Sequence, residues 1–76
     1  MSAREMFEEL GYELNKELGS EINRIYYEKK TIPNYPNTFI MFDLDYQIIS
    51  NDCDITINEF KAIQQQLKEL GWIEWK

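Results

Sequence analysis

The chain of 76 residues contains no histidine, no valine, one cysteine, two prolines and three glycines. Each shortage excludes something. A single cysteine cannot close an internal disulfide, and without histidine the common zinc sites lose their nitrogen ligands. Nucleophiles activated by histidine are excluded for the same reason. No glycine-rich phosphate loop is present. No apolar run reaches the roughly 18 residues of a membrane span, so no membrane partner is expected. The opening Met1-Ser2-Ala3-Arg4-Glu5 lacks the basic-then-apolar order of a secretory signal, which leads to the expectation of a cytoplasmic protein. Basic residues are scarce, 8 against 14 acidic ones, for a net charge of −6. Phosphate binding draws on clustered Lys and Arg, so no nucleic acid is expected as a partner.

What is present fits one small α+β domain spanning residues 1–76. Hydrophobic residues make up 43% of the chain, which separates it from disordered tails. A chain this short buries only about 60% of its unfolded surface, so its core is small. Isoleucine occurs ten times, and Ile, Asn, Lys, Tyr and Phe together far outnumber Ala, Gly, Pro and Arg. The first group has AT-rich codons, which points to a low-GC genome.

Two helices are written with both their ends. Ser2 is an N-cap with Glu5 three residues later to complete a capping box, and Met1 and Met6 stand at the positions of a hydrophobic staple. Ala3, Met6, Phe7 and Leu10 follow the spacing of one buried stripe. Gly11 then supplies a left-handed stop, with Tyr12 placed to pack on Phe7 as in a Schellman motif. The second helix repeats the plan: Thr56 caps, Glu59 closes the box, Ile55 staples to Phe60 and Gly71 stops, with Trp72 returning on Leu67. Phe60, Ile63, Leu67 and Leu70 form its expected apolar stripe, with Lys61, Gln64, Gln65 and Lys68 toward water.

Between the helices the pattern changes to period two. Alternation over residues 12–16 favours a strand, although Leu14 and Leu18 also allow the first helix to run on. Residues 25–29 read as a strand reached through a turn at Leu18-Gly19-Ser20, and residues 31–37, with two prolines and two asparagines, as a loop. Residues 38–46 give the strongest strand, with Ile40, Phe42, Leu44 and Tyr46 on the helix side and Phe39, Met41, Asp43 and Asp45 on the other. A last strand is expected over about residues 47–51. The predicted architecture has two layers: an N-terminal helix, a three- to four-stranded antiparallel sheet, and a C-terminal helix on the same face.

Candidate chemistry is thin. Cys53 lies between Asp52 and Asp54, whose charges disfavour the thiolate, so it reads as a structural cysteine. Asp43, Asp45, Asn51, Asp52 and Asp54 resemble a calcium loop only loosely, since the positions that need Gly and Glu hold Ile48 and Asp54. No metal, no cofactor and no catalytic residue is expected, and the chain is read as a non-enzyme. The aromatic content, 14%, is more informative. A small domain cannot enclose it all. Tyr26 or Tyr27, Tyr35, Phe39 and Trp75 are expected to be partly exposed, and with Met41 they form the candidate interaction surface.

Two segments carry a resemblance. They are Ala3-Arg4-Glu5-Met6-Phe7-Glu8-Glu9-Leu10-Gly11-Tyr12 and, near the end, Ile55-Thr56, Glu59, Ala62-Ile63, Gln66 and Glu69-Leu70-Gly71-Trp72. Together they resemble small uncharacterised phage and prophage proteins of low-GC Gram-positive bacteria. The two segments cover about a third of the chain, consist mostly of capping and core residues, and transfer no functional residue. The leading reading is a non-enzymatic phage- or prophage-type accessory protein that works by binding another protein or itself, a homodimer included. The alternative is an acidic mimic of nucleic acid that inhibits a host enzyme.

Overall fold

The computed structural model describes residues 1–15, 23–30, 38–52 and 54–73. Helix α1 spans Ala3–Glu9, strands β1 to β4 span Glu13–Leu14, Arg24–Lys29, Thr38–Asp43 and Ile48–Asn51, and helix α2 spans Ile57–Leu70. The strands form one antiparallel sheet in the order β1-β2-β3-β4, and the helices pack on one side of it, as expected from the sequence.

Both helix starts follow their capping chemistry. The Ser2 hydroxyl accepts from Glu5 N–H and the Glu5 carboxylate accepts from Ser2 N–H; Thr56 and Glu59 make the same reciprocal pair. Both ends also close as written. Gly11 has φ +94°, and Tyr12 N–H donates to the Phe7 carbonyl at 2.9 Å. Gly71 has φ +75°, and Trp72 N–H donates to the Leu67 carbonyl at 3.0 Å.

A helix of seven residues has little stability of its own, so α1 depends on packing. Phe7 is its anchor. The ring stacks on Tyr27 with centroids 4.1 Å apart and meets Tyr12 and Phe42 edge-on at 5.7 and 6.3 Å. Ile40, Ala62 and Ile63 complete the enclosed cluster, with Ile25, Leu67, Leu70 and Trp72 packed around it.

Three sequence expectations are corrected here. Phe60, expected in the buried stripe of α2, is 49% exposed. The buried face is instead Glu59, Ala62, Ile63 and Gln66. This rotation is possible because tyrosine hydroxyls satisfy the two polar residues: Tyr12 donates to Glu59, and Tyr27 donates to Gln66 Oε1 at 2.8 Å. Strand β3 ends at Asp43 rather than at residue 46. The Asp43 carboxylate accepts from the N–H groups of Asp45 and Tyr46, both at 3.0 Å, which folds residues 44–47 into a turn. Tyr46, expected on the helix side, is consequently 76% exposed. Tyr27, a candidate surface residue, is a core residue. The expected strand over residues 12–16 is realised as the short β1. The turn at Leu18-Gly19-Ser20 and the loop at 31–37 lie outside the described residues.

Candidate interaction surface

Strand alternation divides the sheet. Tyr27 pairs with Ile40 and Ile25 with Phe42, and these point to the helices. The intervening pairs, Tyr26 with Met41, Glu28 with Phe39 and Arg24 with Asp43, therefore point away. On β4 the same register puts Ser50 and Ile48 on this far side, opposite Met41 and Asp43. No helix covers it among the described residues.

Its centre is aromatic and half-buried. Tyr26 and Phe39 stack with centroids 5.3 Å apart and rings inclined by 15°. Met41 lies beside Tyr26 in the register and its sulfur is 3.3 Å from Arg24 Nη1. The Arg24 guanidinium also lies 5.6 Å from the Tyr26 ring centroid, within cation–π range. Arg24 Nε is buried and has no hydrogen-bond partner among the described residues. Asp43, directly across the ladder, commits its carboxylate to the turn amides instead. Burial raises the Tyr26 pKa, the charges of Glu28 and Asp52 raise it further, and Arg24 offsets part of the rise. Tyr26 is therefore a neutral donor at physiological pH. The rim is acidic, with Glu13, Glu28, Asp43 and Asp52 around the aromatic pair.

Of the candidate residues, the structure brings Tyr26, Phe39 and Met41 together and places Tyr27 in the core. Tyr35 and Trp75, like Cys53, lie outside the described residues. Sequence reasoning missed Arg24 and Ile48. The period-two alternation with Tyr26 would have found Arg24; Ile48 needed the position of the turn.

The opposite side of the molecule offers less. A cavity of about 350 Å³ lies beside the two helices, lined by Met1, Met6, Glu9, Leu10, Asn58 and Lys61. Its three polar residues are all exposed, so no buried group converges on it. Among the described residues, no three His, Cys, Asp or Glu side chains stand together as metal ligands. No described helix is long and apolar enough to cross a membrane. Comparison of the chain with family models, curated proteins and solved structures gives no match in any of the three.

Proposed function

We propose that this chain is a non-enzymatic interaction module, an accessory protein of phage or prophage type, that binds another protein through the far side of its sheet. One observation carries the reading: Tyr26, Phe39, Met41 and Arg24 form a single half-buried patch on the side that the helices leave open. These four residue types are the ones enriched in the desolvated centres of protein interfaces. The acids on this side rim an aromatic centre rather than forming one stripe, which supports protein binding over mimicry of nucleic acid. The phage assignment rests on the sequence resemblance alone.

The test is capture from a low-GC host lysate by the immobilised chain and by Phe39→Ser with Met41→Ser, with thermal melts as the control for folding. Capture of a partner by the wild type, and its loss in a variant that still melts cooperatively, is the expected outcome. Equal capture by both proteins would refute the surface. If the variant does not fold, Phe39 and Met41 belong to the core and the reading fails.

A further inference from the structure

The far side of the sheet leaves its charges uncompensated. Arg24, Tyr26 and Glu28 share this face of β2. Glu28 stands directly opposite Glu13 of β1, also on the far side, and like charges facing each other across strands are destabilising. Neither carboxylate forms an ion pair among the described residues. Arg24, at the other end of the face, has no anionic partner among them either. Its contacts are the Met41 sulfur and the Tyr26 ring, its Nε lacks an acceptor, and Asp43 across the ladder is committed to the turn. An acid pair without a cation and a cation without an acid thus flank the Tyr26–Phe39 stack.

One chain cannot bring these two ends together. Residues four apart on a strand are separated by about 13 Å, far beyond ion-pair range. A second copy can. Given half a turn about an axis that crosses the strands at Tyr26 and lies between the two sheets, it lays its β2 antiparallel over the first β2. Arg24 of each chain then lies over Glu28 of the other, beside Glu13, and the symmetry forms both contacts at once. Tyr26, Phe39 and Met41 of the two chains meet at the centre, and Asp43 falls over Phe39 of the second copy rather than over another acid. The net charge of −6 opposes association, but at physiological ionic strength exposed charges more than about 8 Å apart are largely screened. The face is small, so the pairing is weak and concentration-dependent.

We infer that the far side is a two-fold self-association surface, on which a second copy of this chain sets its Arg24 against the Glu13–Glu28 pair and packs its aromatic patch on that of the first. The desolvated centre of Tyr26, Phe39 and Met41 supplies affinity. The reciprocal charge contacts fix the orientation, because a parallel arrangement would place Arg24 on Arg24 and gather the glutamates of both chains at one end. This inference rests on the protein-binding reading above and names the occupant of that surface.

Sedimentation of the full chain over a range of concentrations is the test, with nitrogen-15 amide shifts locating the contact. The wild type should pass from monomer to dimer in the micromolar range, with concentration-dependent shifts centred on Tyr26, Phe39 and Met41. Arg24→Glu and Glu28→Arg should each weaken the dimer at least about tenfold. Mixed in equal amounts, the two variants should associate again, since each offers the charge that the other lacks; repair within one chain cannot give this result. Thermal melts check folding, and Glu28→Arg should melt no lower than the wild type, because the new charge faces Glu13. A wild type that stays monomeric to about 1 mM, a mixture that does not associate, or shifts centred on the exposed Ile57 and Phe60 of α2 would overturn the inference. If a variant does not fold, the sedimentation and shifts of the wild type still decide. A monomeric wild type whose lysate capture depends on Phe39 and Met41 excludes the second copy and leaves the far side as the surface for a different protein.

Discussion

Replacing Tyr12 by phenylalanine removes one oxygen from a side chain that is only 1% exposed. The ring keeps its edge-on contact with Phe7, so the void is no larger than the hydroxyl. What disappears is the hydrogen bond to Glu59, a carboxylate that is itself 6% exposed. A hydrogen bond to a charged group is worth about 1.5–3 kcal/mol. Glu59 retains the Thr56 N–H at 3.1 Å and the nearby charge of Lys29, so the middle of that range, about 2 kcal/mol, is expected. For a chain of this length the whole stability is roughly 4–11 kcal/mol. The melting temperature should fall by roughly 8–16 °C.

The pH dependence identifies the cause. Burial acts most strongly on Glu59 and raises its pKa, but the hydrogen bonds from Tyr12 and Thr56 together with the charge of Lys29 outweigh it, and the folded-state pKa lies below the ordinary carboxylate value. A depressed pKa gives stability that is complete above the unfolded value of about 4.3 and is lost as pH falls through the folded value. The gap between wild type and Tyr12→Phe should therefore be widest near neutrality and narrow in acid. Urea denaturation across that range, with Glu59→Gln and the double variant to close the cycle, measures the coupling. A loss below about 0.5 kcal/mol at neutral pH, or a gap that does not change with pH, would refute the argument.

Four further outcomes are expected. Thr56→Ala should cost about 1 kcal/mol in a denaturant titration, since its hydroxyl satisfies an otherwise orphaned helix N–H. Gly71→Ala should cost about 1–2 kcal/mol from positive φ alone, because nothing lies within 4 Å of the added methyl; Gly11→Ala should cost more, with Lys29 Cδ only 3.3 Å away. Phe42→Ala, at a wholly buried ring touching Phe7, Tyr27 and Trp72, should cost about 3–5 kcal/mol by the same measurement. Fluorescence anisotropy should show no salt-sensitive DNA or RNA binding near micromolar concentrations, given the −6 charge.

How legible each part was depended on how local its cause was. The caps of both helices and the glycine closures could be read directly, because each involves residues within about five positions of one another. The face of α2 was misjudged for the opposite reason. Glu59 and Gln66 count as solvent-facing by hydropathy, and only Tyr12, just before β1, and Tyr27 of β2 make them interior residues. Alternation placed Phe39 and Met41 correctly on the far side but could not choose between Tyr26 and Tyr27, two adjacent residues of one type. The pairing of β2 with β3 decides it, setting Tyr27 opposite Ile40 and Tyr26 opposite Met41. The end of β3 was hidden because the alternation continues through Leu44 and Tyr46, whereas the backbone follows the Asp43 side chain into a turn.

The same carboxylate chemistry explains why the two sides of the sheet differ in what they can offer. On the helix side the acids are used to join the two helices. Glu59, at the start of α2, accepts from Tyr12, just past the Gly11 stop of α1, and Glu69, near the end of α2, accepts from Ala3 N–H at 2.7 Å, where the N-terminal dipole of α1 favours an anion. The antiparallel helices are thus tied at both ends, and between the ties Phe7, Ala62 and Ile63 exclude water. A partner entering there would have to break two charge-assisted hydrogen bonds and open the aromatic cluster. On the far side, and along β4, the described acids lie at the rim, the aromatic rings and isoleucines remain partly in water, and Arg24 keeps a buried N–H without an acceptor. Binding on that side removes apolar surface from water and can supply that acceptor, with no native contact given up.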